Sequence, residues 1–268
     1  MDLWPETLSV AGGIHNKFVL QYYNSVVIRF YNNSEKILIA SRGFKKSILQ
    51  KGDFEDKIIY FPNWAEDVIS EGDKNSLIPE LPEGFKIMFA GNLGESQDLE
   101  NVLNAFKELE SNKNIKLILV GDGRKVDFIR EFVKNNNLSE TVFMVGKHPI
   151  EEMASFFEKA DAMLISLKQN PIFNLTVPAK LQAYMSAGKP ILGMIDGECR
   201  RIINEAQCGY VSNSGDHKSL SQNILKMANL ADDELAQMRH NSRIYFENNF
   251  RMNDSINKLE NILMEQRT

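Results

Sequence analysis

From residue 86 onward the sequence repeats one pattern: a short run that is apolar throughout, a turn, then a segment of helical periodicity. The apolar runs fall at residues 86–91, 116–121, 142–146, 162–167, 190–195 and 209–212. Apolar residues at consecutive positions, not alternate ones, are what a strand needs when both faces of its sheet are covered. Between the runs, Leu99, Val102, Leu103, Phe106 and Leu109 share one face of a helix, as do Ile150, Met153, Ala154 and Phe157. Strand and helix alternating at this spacing predict right-handed crossovers and a doubly wound parallel α/β sheet. Helices over 231–248 and 254–266 are expected to close the chain.

The first 75 residues are less regular. Phe18, Tyr22, Val26 and Phe30 recur at helical spacing, residues 36–40 and 58–61 read as strands, and Ser41 stands where it would cap a helix running to Gln50. Residues 66–84 turn polar and contain Pro79 and Pro82, the composition of a linker. The length of 268 residues suits one large domain or two small ones.

Charge and cysteine content remove several classes. A formal charge of −5 with both signs mixed argues against nucleic-acid binding, which favours a basic surplus. Cys199 and Cys208 have no C-x-x-C partner, so neither a disulfide framework nor a zinc site is expected, and a reducing compartment fits. No apolar run approaches the roughly 20 residues that span a bilayer. Residues 1–6 lack the basic and apolar regions of a signal peptide.

In a doubly wound sheet the ligand lies beyond the carboxyl ends of the strands, so the residues after each strand carry the functional reading. The first strand ends in Gly91, Asn92, Leu93 and Gly94, where glycines let a backbone approach a phosphate; a tight strand-to-helix turn explains them equally well. Glu95 and Asp98 nearby would repel an anion. The second strand ends in Gly121-Asp122-Gly123, either a ligand loop or a turn in which Asp122 caps the next helix. Lys147 and His148 follow the third strand, and a lone histidine is more often structural than catalytic. In the stretch from Asn174 to Pro190, Thr176 is expected to cap a short helix, Pro178 to occupy its first turn and Gly188 to end it. Lys180 near that first turn opposes the helix dipole, which makes sense if it faces a negative ligand; a solvated surface lysine is the alternative. The loop 168–176, rich in Asn and Gln, and Asp196-Gly197-Glu198 could reach the same crevice or serve only as connections.

Phe89-Ala90-Gly91-Asn92-Leu93, Leu119-Val120-Gly121-Asp122-Gly123, Ala160-Asp161-Ala162, Pro178-Ala179-Lys180-Leu181 and Ala187-Gly188-Lys189-Pro190-Ile191 together resemble glycosyltransferase family 4, the group 1 glycosyltransferases of the GT-B fold. Gly209-Tyr210-Val211 before Gly215-Asp216 extends the likeness across nearly the whole chain. Asp2-Leu3-Trp4-Pro5-Glu6, Pro62-Asn63-Trp64-Ala65-Glu66 and Thr176-Val177-Pro178 are similar to the branch that builds bacterial surface polysaccharides, with its fucosaminyl- and colanic-acid-type transferases.

The resemblance implies a partial acceptor-side Rossmann-like domain over residues 1–75, a complete nucleotide-sugar-binding domain over 76–250, and a last helix over 251–268 that crosses back. On that alignment Asp2–Glu6 matches a point deep inside the acceptor domain, which makes the chain an N-terminally truncated member. The Arg and Lys that usually clamp the donor diphosphate fall at Asn92 and Gln97, and the usual pair of glutamates at Leu175 and Ala183, the second being the ribose position. The diphosphate is then left to Gly94, backbone N–H groups and Lys180.

The expected activity is retaining transfer from a UDP-linked sugar to a polyprenyl-linked saccharide, at the cytoplasmic face of the membrane and in peripheral contact with it, without metal or cofactor. Lys180 is the expected catalytic residue. Gly91, Asn92, Leu93, Gly94, Gly121, Gly123, Lys147, His148, Thr176, Val177, Pro178 and Ala183 join it in the expected donor site. Two alternatives are a non-catalytic nucleotide-sugar-binding fragment and a nucleotide-sugar epimerase. The epimerase needs an acid/base carboxylate pair in the cleft, and the sequence offers no persuasive one.

Overall fold

The computed structural model describes residues 3–10, 13–14, 16–67 and 78–265. Residues 68–77, most of the expected linker, lie outside the described residues, as do Met1, Asp2 and residues 266–268 of the stretches read above.

The chain opens with α1 (Glu6–Val10), α2 (Lys17–Asn33), β1 (Ile37–Ile39), α3 (Phe44–Leu49) and β2 (Ile58–Tyr60). β1 and β2 pair in parallel, with Leu3, Ile37, Ile39, Phe44, Ile48 and Phe54 forming a small core. Ser41 does not cap α3 as expected. Gly43 occupies the cap position, and the Ser41 hydroxyl accepts the Gly43 N–H at 3.2 Å. The aromatic stripe on α2 points outward: Phe18, Tyr22 and Phe30 are 84%, 67% and 68% exposed. Its helical spacing therefore marks a solvent face, not a core face.

The second sheet contains β3 (Phe85–Ala90), β4 (Ile115–Val120), β5 (Val142–Gly146), β6 (Ala162–Ser166), β7 (Ile191–Met194) and β8 (Gly209–Ser212). All pairings are parallel, in the order β5-β4-β3-β6-β7-β8. The helices are α4 (Leu99–Glu108), α5 (Val126–Asn135), α6 (Met153–Lys159), α7 (Pro171–Leu175), α8 (Ala179–Ser186), α9 (Gly197–Ala206), α10 (His217–Ala228), α11 (Asp232–Asn249) and α12 (Met252–Glu265). Strand side chains alternate between two cores. Ile87, Phe89, Leu117 and Leu119 meet α4 and α10 on one face. Met88, Ala90, Ile118 and Val120 meet α6, α8, α9 and α11 on the other. Both faces are thus buried, which is why these runs are apolar throughout.

Two local expectations need correction. Residues 171–175, expected in a loop, form α7: Asn170 accepts the Ile172 N–H at 2.8 Å and Pro171 takes the first turn. Thr176 therefore ends α7, donating its hydroxyl to the Phe173 carbonyl at 3.0 Å, and does not cap α8. Gly188 does terminate α8. At φ +61° it donates to Met185 O, while Lys189 donates to Tyr184 O, the paired bonds of a Schellman motif.

β3 pairs with β4 along six residues but with β6 only at Ile87 and Met88. Beyond Met88 the two strands part, and the backbone of Ala90 faces the gap. Tyr184 of α8 fills it: its hydroxyl accepts the Ala90 N–H at 2.9 Å and donates to Ala90 O at 3.1 Å. The ring is fully buried, edge-on to Phe157.

Residues 60–67 run along the C-terminal helices. Ala65 N–H donates to Phe250 O, and Asp67 receives both terminal nitrogens of Arg243 at 2.7 and 2.6 Å. From α12, Lys258 donates to Tyr60 O at 2.8 Å. No described helix is long and apolar enough to cross a membrane.

Replacing Tyr184 by Phe keeps the packing but leaves Ala90's buried amide without a partner. We expect a loss of about 1–3 kcal/mol in urea unfolding, with the slope of the transition unchanged.

Candidate functional site

The strand order reverses between β3 and β6, and in such sheets a crevice forms there beyond the carboxyl ends. A cavity of about 480 Å³ opens on the β3–β4–β5 side of that point, within the size range of small-molecule sites. Gly91 and Asn92 supply one wall, Val120 to Gly123 the next, and Lys147, His148 and Met153 the third.

The glycines are there for close approach. At Gly121, φ is +142° and a Cβ would lie 1.9 Å from Gly91 O, so the loops after β3 and β4 touch through backbone alone. At Gly91, φ is +124° and a Cβ would sit 3.0 Å from Lys180 Cε. Asp122 does not cap α5, which begins four residues later; its carboxylate accepts the Gly123 N–H at 2.7 Å and tightens the turn.

Many rim amides are already engaged. Gly91 N–H donates to Val120 O, Leu93 to Asp122 O and Gly121 to Gly146 O, at 2.7–2.8 Å. Those of Asn92 and Gly94 donate to no described residue. Leu93 is withdrawn further: its side chain is fully buried in the core and its carbonyl accepts from Lys125. It shapes the turn and offers a ligand nothing.

Lys180 enters from α8. It is not a wall of the cavity but stands directly behind Gly91, which is. Its Nζ lies 3.6 Å from the centre of the Phe89 ring and donates to Gln97 Oε1 at 3.3 Å. No carboxylate is within ion-pair distance of it among the described residues. Burial without a counter-charge pulls its pKa down to about 7.

Glu95, expected to repel an anion, is paired with Lys125 at 3.0 Å and Lys168 at 3.4 Å. The Lys125 hydrogen bond, aided by Lys168, lowers its pKa. Asp98 likewise accepts from the Asn101 amide at 3.0 and 3.1 Å. Pairing of Glu95 with two lysines leaves the crevice less negative than the sequence suggests, while Asp98 keeps its charge and is held by a neutral amide.

The remaining candidates divide. Lys147 is exposed and lines the cavity without an ion-pair partner among the described residues. His148 lines it with its ring, while Nδ1 faces Glu152 at 2.6 Å and Nε2 faces Val145 O at 3.1 Å. Both nitrogens therefore serve the fold. Thr176, Val177 and Pro178 form the joint between α7 and α8, with Val177 packed on the core behind it. Ala183 lies one turn beyond Lys180 and packs on the same core. None of these four is a wall of the cavity.

Several contributors were missed from sequence. Met153 is a wall, Phe89 supports the Lys180 ammonium, and Ser166 fixes the turn that carries Gln97. Ser166 did carry a signal: a polar residue at the end of an otherwise apolar, fully buried strand calls for a partner.

Compared with known proteins, residues 74–245 match the family described as Glycosyl transferases group 1. The protein named "Probable glycosyltransferase WbjE" from Pseudomonas aeruginosa is 25% identical over 237 residues, covering 85% of this chain and 58% of that one. N-acetyl-alpha-D-glucosaminyl L-malate synthase from Bacillus anthracis is 27% identical over 221 residues, 81% of this chain and 53% of the relative. This chain thus spans little more than half the length of these relatives. Among solved structures, Anabaena Alr3699/HepE in complex with UDP superposes with a TM-score of 0.78 at 13% identity, over 98% of this chain and 70% of that one. The fold is GT-B-type.

The state of Lys180 can be read from stability. With a folded-state pKa near 7 and an ordinary lysine value when unfolded, the unfolded chain holds a proton that the folded chain has shed at every pH between. Stability therefore rises with pH through that window. Urea titrations at pH 7 and 9 should show a larger gain for the native protein than for Lys180→Met. The buried Lys189, brought down to about 8 by its own burial, contributes equally to both.

Proposed function

The chain belongs to the group 1 glycosyl transferases, and on that footing we propose that its cavity binds the diphosphate and nucleoside of a UDP-linked sugar for glycosyl transfer. The observation that carries this reading is the placement of Lys180. An ammonium without a carboxylate partner among the described residues sits at the switch point of a doubly wound sheet, behind the glycine that opens the cavity. An ion in that position is costly unless something negative arrives. A diphosphate supplies the charge, and the amides of Asn92 and Gly94 together with Lys147 supply further donors. The Anabaena structure, solved in complex with UDP, supports the choice of nucleotide.

In the proposed reaction the bond from the anomeric carbon to the β-phosphate oxygen breaks. The acceptor hydroxyl oxygen bonds to that carbon on the same face, and its proton passes to the departing diphosphate. The protein's part is to stabilise the growing negative charge on the leaving group. Pre-placed donors in a closed cleft are worth several kcal/mol for such a charge. Retention is supported by the α-configured product named for the Bacillus relative, since a sugar diphosphate with an α bond gives an α product only by retention.

A polyprenyl-linked saccharide is the acceptor we favour, on the likeness of Pro62–Glu66 and Thr176–Pro178 to the polysaccharide-building branch. A second cavity of about 480 Å³ beyond the end of β1 is lined by Arg42, Lys46 and Lys45, the last paired with Glu55, and offers such an acceptor's phosphates the charges of Arg42 and Lys46. The cavity lies on the segment whose Gly43 abuts Leu175 of α7.

Lys180→Ala is expected to weaken UDP binding by well over tenfold in isothermal calorimetry; unchanged affinity rejects the diphosphate role. Transfer and hydrolysis assays run beside that titration separate a transferase from a chain that binds its nucleotide sugar without turnover.

A further inference from the structure

The ammonium of Lys180 has little to hold it in place. Its stem leaves the first turn of α8, where the helix dipole disfavours a cation. Its head rests on the Phe89 ring, which restrains distance but not direction. One directional contact is present, the hydrogen bond to Gln97 Oε1 at 3.3 Å.

Gln97 is itself fixed from the far side of the switch point. It ends the single 3₁₀ turn Glu95–Gln97 between β3 and α4. Two bonds tie that turn to β6 and the residues after it. The Ser166 hydroxyl donates to Gln97 O at 2.5 Å, and Lys168 N–H donates to Ser96 O at 2.9 Å. The side-chain amide of Gln97 also donates to Ser96 Oγ at 3.2 Å, which leaves Oε1 directed at Lys180. A connected path thus runs from β6 through Ser166 and Gln97 to the ammonium. It crosses the same gap that Tyr184 fills one layer below.

We infer that Gln97, anchored by Ser166, is a positioning residue that aims the Lys180 ammonium at the diphosphate. This rests on the donor-site reading above and adds to it a neutral acceptor. A carboxylate at position 97 would hold Lys180 more firmly but would cancel the charge the diphosphate needs. On the adjoining elements Glu95 is paired with Lys125 and Lys168, Asp98 accepts from the Asn101 amide, Asp122 from the Gly123 N–H, and the Tyr184 hydroxyl is bonded to Ala90; none of these carboxylates is within ion-pair distance of Lys180. The residue at 97 therefore controls both the direction and the proton affinity of Lys180.

The test is calorimetric titration of the full chain with UDP from pH 6 to 9, using the native protein, Gln97→Glu, Gln97→Met, Ser166→Ala and Lys180→Ala. Native binding should weaken as Lys180 deprotonates. Gln97→Met, similar in size but without a strong acceptor, should lose about fivefold in affinity at pH 6 and move the midpoint of the pH profile downward. Gln97→Glu should lose at least as much at pH 6 yet move the midpoint upward by a unit or more. Ser166→Ala should give a smaller loss in the direction of Gln97→Met. Opposite shifts from two substitutions at one residue are not produced by general loosening of the turn.

If UDP binds and Lys180→Ala weakens it, but both Gln97 variants keep the native profile, the positioning role is overturned and the donor site stands. If the two variants shift the midpoint in the same direction, the role is likewise overturned. If Lys180→Ala binds as the native protein does, or UDP does not bind at all, the donor-site reading fails and this inference fails with it.

Discussion

The short pairing between β3 and β6 is the constraint on which the rest of the molecule depends. Two parallel strands that stay in register to their ends leave no opening; these two part after Met88, and every polar group exposed by the parting needs an answer. The Tyr184 hydroxyl answers Ala90, and the Ser166 hydroxyl answers Gln97 O. Both are buried polar side chains whose removal would leave a backbone group unsatisfied. The gap between β3 and β6 is thus closed by two hydroxyl groups, and the cavity beside it opens on the β3–β4–β5 side.

Charge around the gap follows from the same layout. α8 delivers Lys180 to the opening but provides no carboxylate to balance it, and the acidic residues on the turn opposite are occupied by Lys125, Lys168 and Asn101. In a chain of net charge −5, Lys147 at the cavity and Lys180 behind it thus stand without an ion-pair partner among the described residues. Formal totals hide this, because what a ligand meets depends on which charges are already paired. The depressed pKa of Lys180 expresses the cost of keeping that site ready.

Much of the fold was legible in sequence because the strands of the second sheet are buried on both sides. Runs such as Ile115–Val120 cannot be confused with alternating surface strands, and the glycines that follow them marked the ligand end. What was not legible depended on three-dimensional neighbours. α7 was hidden by its length of five residues and by the polar Lys168, Gln169 and Asn170 before it, although Asn170 and Pro171 are a capping residue and a first-turn proline in the right order. Leu93 sits among residues that approach the cavity, yet its own side chain turns into the core. Periodicity on α2 was real, but Phe18, Tyr22 and Phe30 face outward, and spacing alone carries no sign to tell inside from outside. Gln97 appeared only as a position lacking a cation, since its partner lies 83 residues away.

The stitching of residues 60–67 to the last two helices bears on how the protein comes apart. Asp67 with Arg243, Ala65 with Phe250, and Tyr60 with Lys258 join stretches nearly two hundred residues distant in the chain. Together they close the whole six-stranded sheet and its helices into one long loop, and closing a loop of that length is an entropic cost met once, for all three contacts together. Melting of the sheet cannot release α11 and α12 without also freeing the segment that follows β2. The small parallel pair at the front of the chain, too slight to stand on its own, is therefore tied by these three contacts to the helices that cover the large sheet.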